Sequence, residues 1–181
     1  MMLPVRGTGR LRKGRISSPG ARYFVTLCTR QRANSLAQQN AAARMENACR
    51  RLDEDQDIAL IAMTIMPDHV HVLFELRERL SLAKVLSKMK GLGRDPRASW
   101  QWQENVFEHR LRAEECVDTY CLYLFLNPYR AGLIPIDASW PWWRYNPIRA
   151  PAFIEQLTSN GGPPPEWLAQ PECLPPDVAH H

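Results

Sequence analysis

The sequence predicts an α+β domain of the ferredoxin-like, split βαβ kind: an antiparallel sheet with helices on one face, followed by an added C-terminal helix. Three observations predict it. Strand-like and helix-like patterns alternate in the order β-α-β-β-α-β-α, whose first six elements match that plan. Two apolar runs meet at Pro67-Asp68, a turn signal that pairs them as a hairpin. No internal repeat competes with this reading.

Residues 1–20 are rich in Gly, Arg and Ser and end at Ser18-Pro19-Gly20, which reads as a flexible arm running into a turn. Tyr23 to Thr29 is aromatic and β-branched, as strands are. Residues 36–52 lack Gly and Pro and carry Ala, Gln, Arg and Met, which predicts a helix. Ile58 to Met66 and His69 to Leu76 are the two hairpin strands. Over 81–92, Leu82, Val85, Leu86 and Met89 recur at helical spacing. A loop with Gly91, Gly93 and Pro96 leads to a short strand from Val106 to Leu111. The last helix runs from about Glu114 to Leu126 and stops at Asn127-Pro128, because proline disfavours helical backbone in the residue before it. Tyr129 then falls beyond the helix. These elements divide the chain into a basic arm (1–20), a domain (21–134) and a Pro- and Trp-rich tail (135–181) that wraps the domain or is partly disordered.

At 181 residues, 45% hydrophobic and 23% charged, the chain has the composition of a soluble globular protein. It contains no apolar stretch of the roughly 20 residues needed to span a bilayer and no export signal, so a cytoplasmic, nucleoid-associated protein with no membrane partner is expected. Its five scattered cysteines form no C-x-x-C pair and read as reduced thiols. Net charge is +4, but residues 1–34 contain no acid, while the chain from Pro151 onward contains no Lys or Arg. A basic arm on a balanced domain is the footprint of a polyanion binder, or else a solubilising tail.

His69 and His71 are the most informative residues. At i and i+2 of a strand they project to one face, with Val70, Val72 and Phe74 on the other. Two adjacent imidazoles can bind a divalent cation, or simply occupy a half-exposed strand. The segment from Met66 to Phe74 (MPDHVHVLF) closely resembles the histidine–hydrophobic–histidine stretch of single-tyrosine HUH transposases. Two further blocks resemble the REP-associated tyrosine transposases of that class, one from Trp102 to Arg112 and one from Tyr123 to Ile134. The three blocks fall in the family's order over about residues 20–134.

This resemblance implies a ferredoxin-like HUH domain that cuts and joins single-stranded DNA through a 5′-phosphotyrosine intermediate. It implies Mg²⁺ or Mn²⁺ held by His69, His71 and Asn127, with Tyr123 as the nucleophile. Tyr123 and Asn127 are one helical turn apart on one face. Tyr120, a turn earlier, is the rival nucleophile or an aromatic core anchor. Asn before Pro is also an ordinary helix terminator. The run Leu124-Phe125-Leu126 is more apolar than the family pattern, which fits a more buried helix or a copy with altered activity.

The resemblance further implies hairpins of repetitive extragenic palindromes as the DNA partner, bound by a monomer or homodimer. Candidate phosphate contacts are Arg6, Arg10, Arg12, Lys13 and Arg15 of the arm and Lys84, Lys88 and Lys90 of the second helix. Trp100, Trp102 and the group from Trp140 to Trp143 are candidates for base stacking or, more commonly for tryptophan, for packing. Competing readings are a domesticated hairpin binder with little catalysis, a metalloprotein of another class and an RNA-binding module. The second lacks an H-E-x-x-H spacing, and the third lacks stacking aromatics where the histidines stand.

Overall fold

The structure is a computed structural model that describes residues 17–171 and Leu174. The arm residues Arg6, Arg10, Arg12, Lys13 and Arg15 lie outside the described residues. Strand β1 (Arg22–Cys28) is followed by a single 3-10 turn (Arg30–Arg32) and helix α1 (Gln39–Glu54). Strands β2 (Ile58–Ile65) and β3 (His69–Leu76) form the hairpin, and α2 (Leu82–Gly93) leads back to β4 (Phe107–Arg110). The sheet is antiparallel throughout, in the order β4-β1-β3-β2-β5, where β5 is Trp143–Tyr145. The first four positions of that order are the split βαβ plan that the sequence predicts.

Strand β3 lies inside the sheet, so both of its faces are covered. Val70, Val72 and Phe74 enter a core with Leu52, Val85 and Met89 of α1 and α2. Leu73 enters a second core beneath helix α3 (Val117–Arg130). The crossover helices therefore share one face, as expected, and the added helix covers the other. Helix α2 starts where the Ser81 side chain accepts a bond from the Lys84 backbone N–H, an ordinary N-cap. Ser17 to Gly20 dock the chain entry, with the Ser17 hydroxyl accepting from Leu82 N and Gly20 N donating to the Leu76 carbonyl.

Helix α3 corrects the boundary predicted at Asn127. It continues through Pro128 to Arg130 and starts at Val117 rather than Glu114. Pro128 lacks an N–H for the preceding turn, but the end of the helix is held by tertiary bonds instead. The Tyr129 phenol donates to the Ala138 carbonyl at 2.8 Å, its ring lies 5.4 Å from that of Phe125, and the Pro128 carbonyl accepts from Leu133 N. Tyr129 is thus a buried helix residue, not a loop residue. Burial of that turn outweighs the local preference of the residue before proline.

Beyond Ile134 the chain closes over α3. Strand β5 extends the sheet at β2, and Phe153 packs on Phe125 and Trp143. The short helix α4 (Glu166–Ala169) brings Trp167 against Phe153. This covering accounts for the apolar run Leu124-Phe125-Leu126, all of which is buried. No helix among the described residues is long and apolar enough to cross a membrane.

Phe24 ties the second core to the site. It is fully buried, and its ring contacts those of His71, Tyr120 and Tyr123. Phe24→Ala should lower the unfolding free energy by about 3–5 kcal/mol, the usual cost of emptying a buried phenylalanine site. Urea titration followed by circular dichroism measures it.

Candidate active site

The paired histidines sit where β3 begins. In the β1–β3 register His69 lies opposite Cys28 and His71 opposite Thr26, while Thr64 of β2 flanks His71 from the other side. Alternation along the strand sends both imidazoles to the α3 face, as the sequence predicts. His71 is buried at 1% exposure and stacks on Phe24 at 5.3 Å. Its Nδ1 lies 2.8 Å from the Thr26 hydroxyl, and the Nδ1 of His69 lies 2.6 Å from the Asp68 carboxylate. With both Nδ1 atoms engaged, the two Nε2 atoms turn toward each other at 3.0 Å.

Helix α3 completes the cluster. Asn127 Nδ2 is 3.4 Å from His71 Nε2, and the Tyr123 ring lies 5.5 Å from that of His71. The structure therefore brings together all four residues that the resemblance singles out. Tyr123 is 7% exposed and lines a narrow cleft with Thr119, Arg130, Trp167, Gln170 and Pro171. A cavity of about 670 Å³ between α1 and the loop after α2 contains none of these site residues and lies on the other side of the sheet.

Electrostatics keep the pair in the ligand state. Burial holds His71 well below its usual pKa, helped by the neighbouring His69 and by Arg32, so its imidazole is neutral at physiological pH. The hydrogen bond from His69 holds Asp68 below the usual carboxylate range despite partial burial. Two neutral rings whose Nδ1 atoms carry the protons would face their Nε2 lone pairs at 3.0 Å, an arrangement that a shared cation relieves. The Thr64 hydroxyl, on the same face opposite His71, is buried without a hydrogen-bond partner. Two imidazole nitrogens, one amide and an unsatisfied hydroxyl form a donor set that suits a hydrated divalent ion. Among the described residues there is no cluster of three or more His, Cys, Asp or Glu side chains that would hold a metal instead.

Tyr120 has another task. It is 1% exposed, and its phenol donates to Glu115 at 2.7 Å. Burial raises the Glu115 pKa, but bonds from Arg112 N, Tyr120 and His109 outweigh it and keep the carboxylate ionised. This network fastens the start of α3 to β4 and occupies the Tyr120 oxygen.

The helix lysines also have internal partners. Lys88 Nζ reaches Asp57 at 2.5 Å and Asp55 at 2.8 Å, and Lys90 Nζ donates to the Gln103 carbonyl at 2.6 Å; Lys84 is exposed. The tryptophans mostly pack. Trp102 donates to the Lys90 carbonyl, Trp140 donates to the Ile65 carbonyl, and Trp143 lies against Phe125. Sequence reasoning missed Thr26, Thr64, Asp68 and Arg32. Asp68 had a local signal in its place beside His69, whereas the two threonines reach His71 only through strand pairing.

The fold and site define a small DNA transposase of the paired-histidine type. The chain belongs to the IS200-like transposase family, whose model matches residues 17–110, just over half of the sequence, and includes both histidines. Helix α3 lies beyond that match. A Haemophilus influenzae protein named for the REP-associated tyrosine transposases is 22% identical over 158 residues, covering 78% of this chain and 89% of that one. Among solved structures, a REP-associated tyrosine transposase bound to a REP hairpin superposes with a TM-score of 0.59 at 21% identity, covering 71% of this chain and 79% of that one. A transposase-like protein of Deinococcus radiodurans superposes with a TM-score of 0.44 at 18% identity, over 56% of this chain and 87% of that one.

Asp57 is 1% exposed, so Lys88 is chiefly its counter-ion. Lys88→Met should cost about 1–3 kcal/mol of stability, the penalty for stranding a buried acceptor. Thermal unfolding measures it, with hairpin affinity in filter binding expected within a few-fold of the parent.

Proposed function

We propose that this protein is a metal-dependent single-stranded DNA endonuclease and strand transferase that acts on repeat hairpins through a 5′-phosphotyrosine intermediate. The observation that carries this reading is the convergence of His69 Nε2, His71 Nε2 and Asn127 beside the Tyr123 ring. The solved relative bound to a REP hairpin supports a palindromic hairpin as the DNA partner.

His69, His71 and Asn127 would hold Mg²⁺ or Mn²⁺, which supplies charge withdrawal from the phosphoryl oxygens. A phenol with a pKa near 10 is a poor nucleophile unaided. Tyr123, fixed by Phe24 and His71, presents its oxygen to phosphorus. The Tyr–O–P bond forms, the bond from phosphorus to the 3′ oxygen breaks, and the 3′ oxygen takes up the proton that the phenol gives up. The ester is conserved, so attack by a 3′-hydroxyl reverses the step or joins a new strand without another energy source. Asp68 and Thr26 set the orientation of the two imidazoles, as outer partners of ligand histidines do.

One observation favours a second reading, a hairpin-binding protein with little catalysis: Tyr123 is only 7% exposed beneath the tail. Incubation with a labelled repeat hairpin and Mn²⁺, scored for a covalent protein–DNA adduct, separates the two.

In that assay Tyr123→Phe should abolish the adduct and leave hairpin affinity within a few-fold, because phosphate contacts elsewhere dominate binding. Tyr120→Phe should retain the adduct; the opposite pattern would assign the nucleophile to Tyr120.

His69→Ala should abolish cleavage at any Mn²⁺ concentration the fold tolerates, since it removes one of three protein ligands of a weakly held hard cation. EDTA should inhibit the parent reversibly. Full cleavage in EDTA rules out a metal-dependent step.

A further inference from the structure

The turn between β1 and α1 holds two consecutive left-handed residues, Gln31 (φ 59°) and Arg32 (φ 53°). Neither is glycine, and long L side chains disfavour this backbone region. The surroundings enforce it. Thr29 N donates to the Asp68 carbonyl at 2.8 Å, and the Thr29 hydroxyl lies 2.6 Å from the Ala33 carbonyl and 2.9 Å from that of Asp68. Arg30 N donates to the Gln101 carbonyl, and Leu36, buried at 1% exposure, anchors the exit by donating its N–H to the Pro67 carbonyl. A glycine at position 32 would relieve the strain at the cost of the side chain.

That side chain reaches the histidine pair. Arg32 Nη1 lies 3.4 Å from His69 Nδ1 and 3.4 Å from the Asp68 carboxylate, with the side chain 48% exposed. Both contacts are at the long end of hydrogen bonding, so the guanidinium is held near the site without being locked into an ion pair. It stands one imidazole width from the facing Nε2 atoms, on the solvent side of the cluster. Strain that survives beside a reactive site marks a side chain whose placement matters.

We propose that Arg32 binds the scissile phosphate, donating from its guanidinium to a non-bridging oxygen of the single strand that passes the histidine pair. This rests on the reading of the site as a DNA-cutting centre. The planar fork of N–H donors matches a phosphodiester, and its charge opposes the negative charge that grows on the equatorial oxygens as Tyr123 attacks. Arg32 is thereby a catalytic residue, distinct in role from basic side chains that hold the hairpin stem.

The first test needs no cleavage. Full-length protein carrying Tyr123→Phe is titrated in EDTA, at several salt concentrations, with a hairpin bearing its single-stranded flank and with the same hairpin lacking it. Adding Arg32→Ala should reduce the salt slope for the flanked hairpin by about 0.7, the value for one single-strand phosphate, and leave the bare hairpin unchanged. An unchanged slope, or equal loss on both hairpins, overturns the proposal. The second test is single-turnover adduct formation with Mn²⁺ and the native tyrosine. Arg32→Ala should be slower by about 100-fold or more, Arg32→Lys intermediate, and excess Mn²⁺ should restore neither. Full recovery with Mn²⁺ would mean that Arg32 only steadies His69, which also overturns it. A parent protein that forms no adduct but shows the slope change sinks the strand-transfer reading while the phosphate contact stands.

Discussion

The alternation of side chains along β3 is the constraint on which the rest of the structure depends. This strand lies between β1 and β2, so each of its faces must be buried against something. Val70, Val72 and Phe74 give one face to α1 and α2; His69, His71 and Leu73 give the other to α3. A slip of one residue would exchange the two sets and place imidazoles in an apolar core. The pairing of Thr26 and Thr64 with His71 depends on the same register.

Burying two imidazoles is costly unless their polar atoms are used. Here each Nδ1 has an oxygen partner, and only the Nε2 atoms face the site. Burial keeps His71 neutral and therefore able to ligate. The acidic and basic groups around the pair are graded by exposure: Asp68 is partly buried against His69, and Arg32 stands outside it. Stability and reactivity share these contacts, since the bonds that satisfy the buried rings also orient them.

Helix α3 is fixed at both ends by groups other than its own backbone. Glu115 gathers Arg112, His109 and Tyr120 before its first turn, and Tyr129 reaches Ala138 after its last. Between these anchors Tyr123 and Asn127 face β3, while the outer face meets the tail around Phe153 and Trp167. A helix gripped in this way presents Tyr123 and Asn127 to the histidines with little freedom.

The sequence by itself determined the strand–helix order, the common face of His69 and His71 and the one-turn spacing of Tyr123 and Asn127, because each follows from a local period of 2 or 3.6 residues. Resemblance added which of these residues belong to one site. Only the tertiary structure decided that α3 runs through Pro128, since packing of Tyr129 acts from outside the local preference. It also decided that three residues of the tail form β5, a segment too short to carry a periodic signal. Thr26, Thr64 and Arg32 joined the site by the same route: their distance from the histidines is set by strand pairing and by a clamped left-handed turn, and neither leaves a spacing that the chain alone can show.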